Sequence, residues 1–395
     1  EIYTLSLHDA LPIWSAGVRP GRGRLDAQRP LSGKEVLPVP KLLIVTTVAS
    51  TLKAFLLPYA RHFRALGWQV DALARGASSE PECLEAFDAC HEAAFTRRPW
   101  QLKNLRAMNR ALRDLVLREG YDIVHVHTPV ASFVTRMALR KLTGRKRPRV
   151  VYTAHGFHFF RGGHRLKNLL YFALEQRAAH WTDYLIVINQ EDYDAAFAHA
   201  LVPPNRLALL PGIGLDLALW NRTSVNAAGK SDIRQELGLA PADKLFLMVA
   251  EFNPGKRHRD ALEALAIAGR KDLHLAFAGR GPLEHAVRER AAALGLLPQV
   301  HFLGQRNDVP ALMLASLATV LPSEREGLNR SVMESLALGV PVLGADARGI
   351  RDLVTDPSRG ALFPVGKPAA LAADMLMMAT DRKSTRLNSS HGRRS

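Results

Sequence analysis

Two carboxylates, Glu326 and Glu334, stand eight positions apart at the junction of a predicted strand and a predicted helix. The strand is the short apolar run 318–321, and Gly339 ends the helix that follows. We therefore expect Glu326 in the turn before the helix and Glu334 one or two turns inside it. The backbone N–H groups of a helix N-terminus favour an anion. A diphosphate flanked by two acceptors for hydroxyl hydrogen bonds has the chemistry of a nucleotide sugar.

Two cations form a second candidate. Lys256 and Arg257 follow the predicted strand 245–250 and precede a helix, so they lie at the carboxyl edge of that strand. Ligands of doubly wound sheets bind at this edge, where cations could neutralise a leaving diphosphate. The alternative is a solvated helix start. The hypothesis requires the lysine and the two glutamates to lie close together.

Histidines form a third candidate. His155 follows the predicted strand 150–153 and precedes a glycine, so its side chain can stand at the carboxyl edge of the sheet, although a buried structural histidine is the alternative. His125 and His127 lie on one face of the predicted strand 123–126. They lack a third ligand at a fixed spacing, so no metal is expected.

Apolar strands separated by amphipathic helices predict parallel sheets covered on both faces. The series breaks between 211 and 240 and then restarts, which predicts an α/β protein of two doubly wound, Rossmann-like domains facing a central cleft. The dinucleotide fingerprint fails, because the pairs Gly212/Gly214 and Gly279/Gly281 both lack the third glycine. The predicted strands are 42–47, 68–74, 123–126, 150–153 and 184–188 in the first domain and 245–250, 273–278, 299–303, 318–321 and 340–343 in the second.

Composition restricts the class of protein. The chain has 395 residues, 47% hydrophobic and 23% charged, which is typical of soluble globular proteins. The two cysteines make no disulfide framework, no apolar run reaches the ~18 residues of a membrane span, and no signal peptide is recognisable. The net charge of +16 and the basic run 140–149 favour an anionic membrane surface as a partner. Nucleic acid is not expected, because no interleaved aromatics or known motif accompany the charge.

Several segments together resemble a retaining glycosyltransferase of family 4 with the GT-B fold. The second half carries an E-x7-E element in PSEREGLNRSVMESLALGVPVLG and a glycine pair in AGRGPLE. The first half is similar to enzymes that build bacterial capsular and exopolysaccharides, in VHVHTPVASF, YTAHGFHFF, TDYLIVINQEDY and LLPGIGLDLALW. The resemblance covers about 41–379.

The resemblance implies roles for individual residues. Glu334 would accept hydrogen bonds from the ribose hydroxyls, Glu326 would contact the donor sugar, and His155 would lie near the transferred sugar. Lys256 would stabilise the departing diphosphate. The other donor-binding residues would be Arg257, Gly279, Gly281, Gly327, Leu328 and Asn329, the last three through backbone N–H groups.

The resemblance also implies an activity and a location. A hexosyl unit would pass, with retention, from a UDP-sugar to a lipid-linked or growing polysaccharide, without metal or cofactor. The protein would lie in the cytoplasm, peripherally at the inner membrane face. The alternatives are a UDP-sugar 2-epimerase of the same fold and a non-catalytic basic protein that binds membrane or nucleic acid.

The resemblance divides the chain and shows departures from the family. Glu251 stands where many relatives have arginine, and the terminal helix that crosses back onto the first domain is absent, so the C-terminal end is expected to be truncated. Residues 1–13 and 382–391 resemble translated sequencing-adapter read-through. The predicted divisions are a disordered or artefactual tail (1–40), an N-terminal acceptor-side domain (41–212), a linker (213–240), a C-terminal nucleotide-sugar-binding domain (241–380) and an artefactual tail (381–395).

Overall fold

The chain forms two compact units, which divide at Gly214. The structure, a computed structural model, describes residues 39–95, 105–210, 212, 214–223 and 233–380. The predicted tail 381–395 and nearly all of the tail 1–40 lie outside the described residues, as does part of the predicted linker. The predicted domain boundaries therefore stay predictions.

The N-terminal unit contains a seven-stranded parallel sheet in the order β3-β2-β1-β4-β5-β6-β7. The order reverses between β1 and β4, which makes these neighbours the topological switch point of the sheet. The strands are β1 Lys41–Val48, β2 Gln69–Arg75, β3 Ala89–Glu92, β4 Ile123–His127, β5 Arg149–Ala154, β6 Tyr184–Val187 and β7 Leu207–Leu209.

Helices connect these strands. The first connection begins with the short helical turn Ala49–Thr51 and the π-helical turn Leu52–Leu56 before it continues as α1. The helices are α1 Leu57–Ala65, α2 Pro81–Ala86, α3 Leu105–Glu119, α4 Pro129–Leu139, α5 Arg165–Ala179 and α6 Gln190–Ala198.

The C-terminal unit contains a six-stranded parallel sheet in the order β10-β9-β8-β11-β12-β13, with its switch point between β8 and β11. The strands are β8 Lys244–Val249, β9 Leu273–Ala278, β10 Val300–Gly304, β11 Ala318–Leu321, β12 Val342–Ala345 and β13 Gly360–Phe363. The helices are α7 His258–Ala268, α8 Glu284–Ala293, α9 Val309–Ala315, α10 Arg330–Ala337 and α11 Pro368–Thr380.

Apolar residues fill both faces of each sheet. In β1, Leu43 and Val45 pack into one core and Leu42 and Ile44 into another on the opposite face. The central strands lack polar alternation because helices cover them on both sides. The prediction of two doubly wound, Rossmann-like domains from unbroken apolar runs is confirmed.

Candidate functional site

The switch point of the C-terminal sheet brings two of the predicted residues together. After β8, the turn Pro254–Lys256 is capped by Asn253, whose side-chain oxygen accepts from the Lys256 N–H at 3.2 Å. After β11, the chain runs through Glu326 into α10. Because β8 and β11 are neighbours in the sheet, both loops leave the same edge side by side.

Lys256 and Glu326 form an ion pair between these loops. The Lys256 Nζ atom donates to Glu326 Oε1 at 2.6 Å, and the two side chains are only 22% and 11% exposed. A backbone bond from the Glu324 N–H to the Gly255 carbonyl, 3.0 Å long, joins the same loops a second time. Lys256 is therefore mostly shielded from solvent, and its predicted role at a diphosphate stays a prediction.

A third loop, after β12, supports Glu326 from the other side. The Arg348 Nε atom donates to the Glu326 carbonyl at 3.0 Å, and the Glu326 N–H donates back to the Arg348 carbonyl at 3.2 Å. Arg348 is 5% exposed, so a buried guanidinium lies next to the backbone of the glutamate. Gly349 follows with φ +76°, and a Cβ there would lie 2.2 Å from the Gly327 carbonyl. Arg348 was not predicted, because its neighbours in the sequence are those of an ordinary loop.

Glu334 lies one turn inside α10, as predicted. Asn329 caps this helix, because its side-chain oxygen accepts from the Val332 N–H at 3.0 Å. Glu334 is 7% exposed and accepts from the Arg330 Nε atom at 2.7 Å. Burial raises the pKa of Glu334 above its ordinary value, although the Arg330 charge and hydrogen bond oppose that shift. The cap occupies the Val332 N–H, and the predicted contacts of the Gly327, Leu328 and Asn329 N–H groups with a donor stay predictions.

The glycine pair has a packing role. A Cβ at Gly279 would lie 2.1 Å from the Ala250 carbonyl, and one at Gly281 would lie 2.6 Å from Phe252 N. Both positions therefore need glycine so that the loop after β9 can lie against the loop after β8. Their predicted contact with the donor stays a prediction.

The Arg257 side chain forms an ion pair with a residue three positions further along the chain. Its φ of +55° is left-handed, and its guanidinium makes two bonds to the Asp260 carboxylate, of 2.7 and 3.2 Å. Asp260 belongs to the first turn of α7, so this pair fixes the start of that helix. The predicted contact of Arg257 with a diphosphate stays a prediction.

The N-terminal unit places the three predicted histidines in one cluster at the ends of β4 and β5. His125 Nε2 lies 2.8 Å from Thr153 Oγ1, and His127 Nδ1 lies 3.0 Å from His155 Nε2. Burial lowers the pKa of His125 to about 3 and that of His155 to about 4, and the pKa of His127 lies well below its usual value for the same reason. At neutral pH the cluster is uncharged, and the expected role of His155 stays a prediction.

The described residues show neither a metal-binding cluster nor a membrane-spanning helix. In this part of the chain, no group of three or more His, Cys, Asp or Glu side chains is arranged to hold a metal ion. Its helices include none that is long and apolar enough to cross a bilayer.

Comparisons with known proteins cover both units. The family described as "Glycosyltransferase Family 4" matches residues 55–215, and the family described as "Glycosyl transferases group 1" matches residues 229–394. EpsD of Bacillus subtilis strain 168, which is named as a glycosyltransferase, is 35% identical over 334 residues, covering 84% of this chain and 85% of that protein. An Escherichia coli UDP-Gal:alpha-D-GlcNAc-diphosphoundecaprenol alpha-1,3-galactosyltransferase is 30% identical over 259 residues, covering 64% of this chain and 65% of that enzyme.

Solved structures share the fold. HepE of Anabaena, crystallised with UDP and glucose, superposes with a TM-score of 0.72 at 19% identity, covering 89% of this chain and 93% of that chain. WaaG, a glycosyltransferase involved in lipopolysaccharide biosynthesis, superposes with a TM-score of 0.68 at 18% identity, covering 89% and 94%.

Proposed function

Because the chain belongs to glycosyltransferase family 4 and is a glycosyltransferase of the GT-B fold, we propose that its donor is a UDP-sugar. It transfers a hexosyl unit, with retention of configuration, to a lipid-linked or growing polysaccharide acceptor. The reaction belongs to the synthesis of capsule or exopolysaccharide.

The observation that carries this proposal is the Lys256–Glu326 pair at the switch point, with Glu334 on the helix that follows. An ammonium has three hydrogens and a carboxylate has two oxygens, so the pair can contact a ligand without breaking. Lys256 donates to the diphosphate, and the second Glu326 oxygen accepts from a hydroxyl of the sugar. Glu334 accepts from the ribose hydroxyls.

Charge development explains how these groups assist the reaction. As the bond between the sugar and the diphosphate breaks, negative charge grows on the leaving phosphate oxygen. A fixed ammonium and the N-terminus of α10 stabilise that charge without reorganising. The leaving phosphate accepts the proton of the acceptor hydroxyl on the same face of the sugar, which retains the configuration. These protein groups supply the positive potential at the diphosphate, so the proposal needs no metal.

Donor and acceptor classes have support from relatives. HepE was crystallised with UDP and glucose, and the name of the Escherichia coli relative specifies a UDP-sugar and a polyprenyl diphosphate acceptor. An enzyme with a lipid-linked acceptor must act at a membrane surface, and we assign it to the cytoplasmic face of the inner membrane. Without the predicted tails 1–40 and 381–395, the formal net charge is still +11, which suits a peripheral enzyme on anionic lipid.

A nucleotide screen tests the proposal. We expect UDP and a UDP-hexose to raise the melting temperature of the full chain, because a ligand that binds only the folded state stabilises it by mass action. ADP, GDP and CMP at the same concentration should raise it less. With a membrane extract as acceptor source, the UDP-hexose should release UDP, and NMR of the product should show the anomeric configuration of the donor. No shift with any nucleotide would contradict the proposal, and an inverted product would contradict retention.

A further inference from the structure

The helix α5 packs against the N-terminal unit along one face, and its opposite face is exposed. The buried face is held by Asn168 Nδ2, which donates to the Phe160 carbonyl at 2.8 Å, and by Phe172, whose ring meets that of Phe159 edge to face. Glu175 completes this face, since it accepts from the buried Arg136 at 3.0 Å. These contacts fix the rotation of α5 about its axis.

The opposite face of α5 exposes a leucine stripe, defined as Leu166, Leu169, Leu170 and Leu174. The four residues are 73%, 66%, 58% and 39% exposed, respectively. Their spacing of three and four positions puts them on one side of the helix, over about 12 Å of its length. Scattered exposed leucines are ordinary, but a contiguous stripe marks an interaction surface.

Basic side chains stand at both ends of the stripe. Arg161, Arg165 and Lys167 are exposed at the start of α5. At its other end, the guanidinium groups of Arg177 and Arg140 lie 5.4 and 5.7 Å from the ring of Trp181. Between 161 and 181, the chain has one carboxylate, Glu175, and the buried Arg136 neutralises it.

We infer that α5 docks the N-terminal unit on an anionic lipid bilayer, with the leucine stripe among the acyl chains and the flanking cations at the headgroups. Leucines that can leave water, with cations beside them that can pair with phosphate headgroups, suit the surface of an anionic bilayer. A protein partner would need carboxylates on both sides of an apolar groove, whereas an anionic bilayer supplies both features everywhere. This inference rests on the proposed function, because an enzyme with a lipid-linked acceptor must reach the membrane.

Vesicle flotation tests the inference on the full chain. We expect binding to vesicles of phosphatidylcholine with 30% phosphatidylglycerol, and weak binding to pure phosphatidylcholine. The triple variant Leu166→Gln, Leu169→Gln, Leu170→Gln should bind at least tenfold more weakly, because each leucine leaves water on docking. Glutamine keeps helix propensity close to that of leucine, so α5 should remain folded.

A matched control separates this stripe from exposed leucines in general. Leu66, Leu84 and Leu297 are 53%, 55% and 49% exposed and lie outside α5. Their triple glutamine variant should bind vesicles as the unchanged protein does. If it loses binding equally, or if the α5 variant keeps full binding, the inference is wrong.

A charge variant covers the case in which the leucine variant does not fold. Arg165→Gln with Lys167→Gln alters two exposed side chains, and binding to the anionic vesicles should weaken about fivefold per cation removed. Equal binding of the unchanged protein to both vesicle types overturns the inference. So does a dimer in light scattering that the leucine variant abolishes while vesicle binding persists, since the stripe would then join two copies of the chain.

Nucleotide binding by the same samples separates the two proposals. The α5 leucine variant should keep the melting shift with UDP. A UDP shift without vesicle binding would overturn only the docking inference. Vesicle binding without any UDP shift would overturn only the proposed function.

Discussion

Replacing Lys256 by alanine tests the chemistry and the packing of the site at once. The ammonium lies 2.6 Å from Glu326 Oε1, in a pair that is mostly buried. If the ammonium stabilises the leaving diphosphate, kcat should fall about tenfold to a thousandfold, as for other preorganised charge-stabilising donors. That loss corresponds to about 1.4–4 kcal/mol of transition-state free energy.

The same replacement has a structural cost. Glu326 would keep its charge, at 11% side-chain exposure, without its partner. Exposed pairs contribute about 0–1 kcal/mol, and breaking a buried pair costs about 3–5 kcal/mol. Because this pair is mostly but not fully buried, breaking it should cost about 1–3 kcal/mol of the free energy of unfolding.

A second substitution separates the two effects. In the double variant Lys256→Ala, Glu326→Gln, the unpaired charge is gone, so the free energy of unfolding should recover in large part. The kcat of UDP release should stay low, since the ammonium is still missing. Urea unfolding and UDP-release kinetics on the same preparations measure both. Recovery of kcat together with stability would refute a direct role of Lys256.

A control comes from the opposite edge of the same sheet. Arg270 and Asp272 form a pair of 2.6 Å just before β9. Arg270→Ala should alter the free energy of unfolding by about 1 kcal/mol or less and leave kcat unchanged, because this pair is a third exposed and far along the strands from the carboxyl edge. A drop in kcat comparable with that of Lys256→Ala would show that any lost ion pair slows the enzyme.

Four further outcomes are expected. Glu334→Gln should weaken UDP binding in calorimetry by about tenfold or more, since hydrogen bonds to a charged acceptor are lost, and unchanged affinity would remove the ribose role. Gly279→Ala should lower the free energy of unfolding by about 3 kcal/mol, because the new Cβ would clash with the Ala250 carbonyl. Gly295→Ala is the control: its φ is +68° and no atom lies within 4 Å of the new Cβ, so it should cost only about 1 kcal/mol. Equal costs in urea unfolding would contradict the packing argument. Burial lowers the pKa of His125 to about 3, so as pH falls below 6.5 this ring takes up a proton in the unfolded chain but not in the folded one, and the free energy of unfolding decreases. His125→Gln should therefore reduce the decrease in the free energy of unfolding between pH 7.5 and 5.5 by about 1.4 kcal/mol. An unchanged pH dependence would contradict a buried neutral ring. A chelator should leave UDP release intact, and lost activity would point to a metal.

The central strands were predictable because each is an unbroken apolar run. Helices on both faces require that composition, so the central strands β9 and β11 agree with their predicted bounds and β8 is displaced by one residue. The edge strand β10 has five residues and is also displaced by only one. The strands that the sequence analysis missed are β3, β7 and β13, which lie at sheet edges and have three or four residues. Such short edge strands bury little apolar surface and leave no periodic pattern.

The site was predictable only in part. Spacing and turn residues place Lys256 and Glu326 at the carboxyl ends of their strands, but they are 70 positions apart in the chain. Their contact depends on the pairing of β8 with β11, and the hydrophobic pattern of each segment does not predict the order of strands in the sheet. Arg348 was missed for the same reason, since only the neighbouring strand β12 brings its buried guanidinium to Glu326.

Hydrogen–deuterium exchange with and without UDP tests the central claim most directly, because it reports where the nucleotide binds. The account predicts that UDP slows exchange in peptides covering 254–258 and 327–334, the turn that carries Lys256 and the N-terminal half of α10. Peptides from β13 and from the C-terminal half of α11 should be unaffected. Protection that is absent from both predicted peptides, while UDP still raises the melting temperature, would contradict the claim that the carboxyl edge of β8 and β11 holds the donor.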